Sequence, residues 1–368
     1  MCGTIDEKRS ADQDGGKNMS TLEIYGTLGP SCADPGILRQ MFETGITGMR
    51  LNLSHGTLEH SAGMIEAFHK ASAEAGVRPS LLIDMQGPEL RIGNIEKGRI
   101  LEEGETVELA DRSRGFVPKG AVPVPPEIFS HYEDGMILLI DDGKRKLKTT
   151  GLVHSAEGDT ITARVLTGGE LLSRKSIAAE GMAITGNTLT EQDLMNLRDA
   201  ARFGVTDVMQ PFVRGAKDLR EVREAMQESG AGSCRLFAKI ENAAGIAAVE
   251  EIMPHTDMIV IARGDLGNAV PLWNLPYVQK EISEKCLKAD VPFMVVTQML
   301  ASMEKAPVPT RAEVSDIFNA VADGASAVMI TGESASGKYP VEASDYLVRT
   351  AVEAMQWRSG IDAGTFRS

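Results

Sequence analysis

Two short runs near the middle of the chain carry residue types that could do chemistry together: A-K-I-E-N at 238–242 and I-A-R-G-D-L-G at 261–267. Each follows or ends an apolar, strand-like stretch, so Lys239, Glu241 and Asp265 are expected at neighbouring strand ends. Glu241 and Asp265 offer the hard oxygen ligands that Mg²⁺ prefers, leaving positions for water and substrate oxygens. Lys239 could neutralise a phosphoryl oxygen opposite them. A Lys–Glu ion pair with an Asp capping the next helix would use the same residues. Polar residues repeated at other strand ends tip the balance towards a metal-dependent anion site.

The elements that must position them alternate. From residue 21 onward, β-rich runs at 22–27, 48–53, 80–84, 207–209, 235–240, 258–262, 293–297 and 327–331 are separated by helix-like segments. That pattern predicts parallel βα units, and eight of them are what a closed TIM (β/α)₈ barrel requires. Residues 94–171 break the rhythm with short apolar runs, Gly and Asp turns and little helical periodicity, and are expected to form an inserted β-rich cap, barrel-like in itself. An insert after the third strand would stand over the rim where barrel enzymes keep their active sites. The barrel is thus expected from 19–93 and 172–368. Residues 1–18 are polar and read as a flexible tail.

Composition bounds the function. A 42% apolar content suits a large soluble core, and a formal net charge of −14 argues against a general nucleic-acid or membrane-surface binder. Cys2, Cys32, Cys234 and Cys286 form no C-x-x-C pair, so neither a zinc site nor a disulfide framework is indicated, and a reducing cytoplasm is the simplest compartment.

Read in order, R-L-N-L-S-H-G at 50–56, G-P-E-L-R at 87–91, K-I-E-N-x-x-G at 239–245, A-R-G-D-L-G at 262–267, T-Q-M-L at 297–300, P-T-R-A-E at 309–313 and I-T-G-E-S-A-S-G-K-Y-P at 330–340 resemble the motifs of the pyruvate kinase family. I-D-D-G at 140–143 and S-R-K-S at 173–176 extend the likeness around the insert. The resemblance implies phosphoryl transfer from phosphoenolpyruvate to ADP, giving ATP and, after protonation of a Mg²⁺-stabilised enolate, pyruvate. Glu241 and Asp265 would then hold Mg²⁺ (or Mn²⁺), and Lys239 and Arg50 would stabilise the phosphoryl group in flight. Gly264, Asp265 and Thr297 would receive the substrate carboxylate, and Thr331 would lie on the proton-delivery path. Thr27, Pro30, His55, Arg91 and Lys175 would contact the nucleotide. Asn52, Ser54, Asp84 and Met85 would hold K⁺, with Glu89 matching the potassium-dependent members.

Several positions depart from that family's pattern. Gln86 replaces a basic residue, Pro211 a serine, and Ala269 and Ala301 acidic residues. After the helix-like run at 341–357 the chain ends where most relatives continue, so no C-terminal regulatory domain and no allosteric control of the usual kind are expected. A homo-oligomer through barrel faces, with Arg311 at the contact, is expected. Two other readings share the metal site: a Mg²⁺-dependent 2-oxo acid lyase or aldolase, and a catalytically weakened regulatory or binding protein.

Overall fold

Eight strands of three to six residues, with apolar side chains at most of their buried positions, build the barrel. The computed structural model describes residues 22–360 except 55, 116, 142, 156–157 and 181–185. The tail expected over 1–18 lies outside them. Three barrel strands come first: β1 (Glu23–Thr27), β2 (Gly48–Asn52) and β3 (Ser80–Asp84). The insert then contributes β4 (Ile100–Leu101), β5 (Thr106–Asp111), β6 (Val122–Val124), β7 (Ile137–Ile140), β8 (Arg145–Val153), β9 (Thr160–Thr167), β10 (Gly169–Glu170) and β11 (Ile177–Ala179). The barrel resumes with β12 (Asp207–Gln210), β13 (Arg235–Ile240), β14 (Met258–Ala262), β15 (Phe293–Val296) and β16 (Ala327–Met329). The eight barrel strands close in the order β1-β16-β15-β14-β13-β12-β3-β2, every pair parallel. The fold is a TIM barrel carrying an inserted β domain.

Strand alternation decides which residues reach the site. On β13, Leu236, Ala238 and Ile240 join the core shared with the surrounding helices, while Phe237 belongs to the barrel interior with Tyr25, Leu82, Met209, Val260 and Met294. A period of two therefore puts Arg235 and Lys239 in the same inward column as Phe237, one at each end. On β3 the inward set is Ser80, Leu82 and Asp84, and on β2 it is Gly48, Arg50 and Asn52. A Cβ on Gly48 would stand 2.3 Å from Tyr25 Cε1, so only glycine admits that ring.

The inserted sheet runs β11-β7-β8-β9-β5-β6 and has its own core, including Ile92, Leu109, Leu138, Leu147, Ile161 and Ile177. Its edge strand β11 and the buried Ile92 lie outside 94–171, because the chain pairs once more with β7 before re-entering the barrel. The loop after β3 is pinned by Asp193, which accepts from the backbone N–H of Gln86 and Gly87 and also completes a capping box with Thr190 at the start of helix Glu191–Phe203. No helix among the described residues is long and apolar enough to cross a membrane.

At the closed end of the barrel Arg235 donates to Glu23 at 2.8 Å and to Asp207 at 2.6 Å, and Tyr25 donates to Glu23 at 2.6 Å. Asp207 is 1% exposed, so removing its cation strands a buried charge, whereas an exposed pair such as Lys288–Glu284 contributes little. Arg235→Met is expected to lower the unfolding free energy in urea by roughly 2–4 kcal/mol, against less than about 0.5 for Lys288→Met. Equal effects would contradict this assignment.

Candidate active site

A cavity of about 550 Å³ opens at the C-terminal rim of the barrel beneath the inserted sheet. Arg50 and Lys239, inward-facing at the tops of β2 and β13, converge on Asp84 at the end of β3. Arg50 donates from Nε and Nη2 to Asp84 Oδ2 at 2.9 and 2.7 Å, and Lys239 Nζ reaches the same oxygen at 3.4 Å. Lys239 Nζ also lies 3.3 Å from Glu241 Oε2, and the Phe212 backbone N–H donates to Glu241 Oε1 at 2.7 Å.

These groups are buried, which sets their ionisation. Burial opposes charge on Asp84, yet Lys239 and Arg50 hold its carboxyl below the usual range. Burial likewise opposes the Lys239 ammonium, but Asp84 and Glu241 keep it above the ordinary lysine value. Glu241 goes the other way: burial, reinforced by Asp265 and Asp84 and opposed by Lys239, pushes it up to about 8. Asp84 Oδ1 is buried and receives no hydrogen bond, and the buried Glu241 Oε2 has the Lys239 ammonium at 3.3 Å but no hydrogen bond. Such oxygens are costly unless a cation or ligand meets them. Among the described residues no three His, Cys, Asp or Glu side chains cluster closely enough to hold a metal by themselves. A divalent ion at Glu241 and Asp265 would need oxygens from water or substrate, which is how Mg²⁺ is usually held.

Beside this cluster, helix Arg263–Ala269 starts at the end of β14, with Gly264 packed against Thr297 of the next strand end. A Cβ on Gly264 would stand 3.2 Å from Thr297 Cγ2. Thr297 and Gln298 both have positive φ, 78° and 56°, an uncommon backbone for a β-branched residue. Arg263 holds them: it donates to Thr297 O at 2.7 Å and is anchored by Asp316 at 2.7 Å. Thr331, after β16, donates from its backbone N–H and hydroxyl to Glu333 Oε2, while Glu333 Oε1 accepts from Leu300 N–H at 3.0 Å. Arg263 and Glu333 had no assigned role at the sequence level; their signal was a charged residue next to a rim residue, which does not reveal what it braces.

Arg50, Asn52, Ser54, Asp84, Met85, Arg91, Lys175, Lys239, Glu241, Gly264, Asp265, Thr297 and Thr331 all line the one cavity. Asn52 Oδ1 accepts from the Ser54 amide and hydroxyl at 3.1 and 2.7 Å, closing a tight turn beside Asp84. Lys175 pairs with Asp141 at 2.8 Å, and Arg91 pairs with Glu89 and donates to Arg174 O at 2.8 Å. Two of the expected nucleotide contacts stand apart from the lining. Thr27 is 3% exposed and its hydroxyl is spent on Ile330 O at 2.9 Å, and the exposed Pro30 begins a short turn outside the cavity. His55 lies outside the described residues. Gln86 accepts from the Thr190 hydroxyl at 3.2 Å, and Gln86, Pro211 and Ala301 all face the cavity.

The protein is a (β/α)₈ barrel with a β cap over a carboxylate–ammonium–guanidinium cluster at its rim. The comparisons agree on its kinship. A family model described as "Pyruvate kinase, barrel domain" matches residues 19–344. The pyruvate kinase of Aeropyrum pernix is 38% identical over 334 residues, covering 90% of this chain and 70% of that protein. Those of Geobacillus stearothermophilus and Sporosarcina psychrophila are 35% and 33% identical, and the chain spans 57% and 58% of their lengths. The chain belongs to the pyruvate kinase family.

The raised Glu241 has a measurable consequence. Between about 4.5 and about 8 the folded chain keeps a proton on Glu241 that the unfolded chain has lost, so this stabilising contribution is complete below that window and is lost as pH rises through it. In chelator-treated protein, the unfolding free energy of wild type relative to Glu241→Gln is expected to fall across the window, by at most about 1.4 kcal/mol per pH unit. A difference independent of pH would contradict the assignment.

Proposed function

We propose that the rim site transfers a phosphoryl group from phosphoenolpyruvate, or a close enol phosphate, to ADP, giving ATP and pyruvate. The observation that carries this reading is the convergence of Arg50 and Lys239 on two buried carboxyl groups, with Asp84 Oδ1 left without a hydrogen bond and Glu241 Oε2 facing the Lys239 ammonium at 3.3 Å. A network built only for stability would close on itself; this one leaves Asp84 Oδ1 without a hydrogen bond and holds a proton on Glu241 that a divalent ion would displace.

Glu241 and Asp265 fit Mg²⁺ or Mn²⁺ as hard oxygen donors, and Asn52, Ser54, Asp84 and the Met85 carbonyl fit K⁺. Mg²⁺ bound there would supply charge neutralisation for the oxygens of the transferring group. Lys239 and Arg50, 14% and 13% exposed, act in a setting where their charge is poorly screened, and they would stabilise the phosphoryl oxygens as the bond to the donor breaks. The amides of Gly264 and Asp265 and the Thr297 hydroxyl would orient the substrate carboxylate, held in place by the strained Thr297–Gln298 turn. The Thr331 hydroxyl, already bonded to Glu333, would pass a proton to the methylene carbon left after transfer. Arg91 and Lys175 would turn from Glu89 and Asp141 to the nucleotide phosphates, and the cap would exclude water.

That pairing of both nucleotide-side cations favours, as a second reading, a nucleotide-independent 2-oxo acid lyase or aldolase at the same metal site. The exposed Leu272, Trp273 and Tyr277 on one barrel face support a homo-oligomer.

An assay of pyruvate formation from phosphoenolpyruvate separates the two readings. Turnover that requires ADP and falls about 10²–10³-fold in Lys239→Met is expected, the loss typical of one electrostatic stabiliser. Consumption of a 2-oxo acid without ADP, or a fully active Lys239→Met, would sink the kinase reading.

A further inference from the structure

Among the described residues, the carboxylates along the rim cavity are all engaged within the protein except one. Asp84, Glu89, Asp141, Glu241 and Glu333 are each met by a cation or a backbone amide. Glu304 lines the same cavity, half-buried, and its side chain has neither a hydrogen bond nor an ion pair with any described residue. It ends the 3₁₀ turn Ala301–Glu304, in which side chains three residues apart eclipse, so Ala301 and Glu304 meet the cavity one above the other. The turn is fixed on both sides. Glu313 accepts from the amide and the hydroxyl of Ser302 at 2.7 and 2.6 Å, and the Glu304 carbonyl accepts from the Lys338 amide at 3.0 Å. A Cβ on Gly332 would stand 2.2 Å from Glu304 Oε1, so the carboxylate rests against the residue that follows Thr331.

That position bears on substrate choice, because Thr331 is the residue placed beside the substrate's methylene carbon. A substituent on that carbon would have Gln298, Glu304 and the exposed Ala301 as neighbours, all on the lining of the same cavity. The neighbours select its chemistry. A second carboxylate would be repelled by Glu304, and an alkyl group would strip water from a half-buried carboxylate and return no hydrogen bond. A hydroxyl meets neither penalty: it donates to Glu304 and can accept from the Gln298 amide, whereas an ammonium only donates.

We propose that Glu304 is a specificity-determining residue that receives a hydroxyl group carried on that carbon, so that the enol phosphate is a hydroxylated relative of phosphoenolpyruvate and the product a hydroxylated 2-oxo acid. The proposal rests on the phosphoryl-transfer reading of the rim site, which sets where the methylene carbon lies. Ala301 leaves the space for the substituent, and Glu304 holds its end. The substituent points away from the phosphoryl group, so Lys239 and Arg50 keep the roles given to them above.

The test is calorimetric binding of matched 2-oxo acids to the full chain saturated with Mg²⁺: 3-hydroxypyruvate against 2-oxobutanoate, and 4-hydroxy-2-oxobutanoate against 2-oxopentanoate. Each pair differs by a hydroxyl in place of a methyl. In at least one pair the hydroxyl acid is expected to bind about tenfold more tightly or better, the gain of one hydrogen bond to a charged group. Glu304→Leu is expected to cut that ratio to below about threefold, and Glu304→Gln, which keeps an acceptor oxygen, to leave an intermediate one. Each ratio is taken within one protein, so a general loss of affinity cancels. Equal affinities within both pairs in wild type would overturn the proposal, as would a hydroxyl preference that survives in Glu304→Leu or a wild type that binds none of the four acids. The phosphoryl-transfer reading fails separately: a hydroxyl preference that depends on Glu304, with no ADP-dependent turnover of any enol phosphate, would support the subsite and remove that reading. ADP-dependent turnover of phosphoenolpyruvate with no hydroxyl preference would do the reverse.

Discussion

The site depends on one constraint: inside a closed barrel, every second residue of a strand must point inward, whatever its chemistry. On β13 that rule stacks Arg235, Phe237 and Lys239 in a single column, and β2 and β3, further round the barrel, add Arg50 and Asp84 within reach of Lys239. The middle of the column is apolar and stabilises by packing. Its two ends carry charge, and they are resolved differently. At the closed end Arg235 meets Glu23, Asp207 and Tyr25 in a hydrogen-bonded plug. At the open end two cations meet two carboxyl groups, and Asp84 Oδ1 is left without a hydrogen bond. Desolvation of that cluster works against stability, and a ligand that completes it restores the balance.

Loop geometry at the open end is held by contacts made to backbone. Arg263 bridges the ends of β14 and β15 and keeps Thr297 and Gln298 in their unfavourable conformation. Glu333 ties the loop after β15 to Thr331, and Asp193 ties the loop after β3 to the barrel wall. Phe212, at φ 53°, delivers its amide to Glu241. Three of these braces are buried or half-buried carboxylates or a guanidinium spent on backbone and the fourth is a backbone amide, so the first contacts of a ligand would meet a fixed surface rather than a mobile one.

Much of this was readable before any coordinates. Continuous apolar runs ending in Asp84, Ile240 or Ala262 mark buried parallel strands, and the observed limits of β3, β13 and β14 coincide with those expected. Lys239, Glu241, Asp265 and Arg50 were legible because charged residues at the ends of such runs have few structural uses. Thr27 was not: its side chain could face either way, and a carbonyl of a neighbouring strand end claimed it. The strand Ile177–Ala179 was missed because three residues carry no usable period, and it forms only by pairing with β7.

On the proposed reading the rim carboxylates are the protein's half of a divalent-cation site. Titration with Mn²⁺ followed by electron paramagnetic resonance tests it without requiring turnover. A saturable site is expected in wild type, with affinity falling at least about tenfold in Asp265→Asn, where one anionic oxygen donor is lost. Absence of a saturable Mn²⁺ site in wild type, or undiminished affinity in Asp265→Asn, would contradict it.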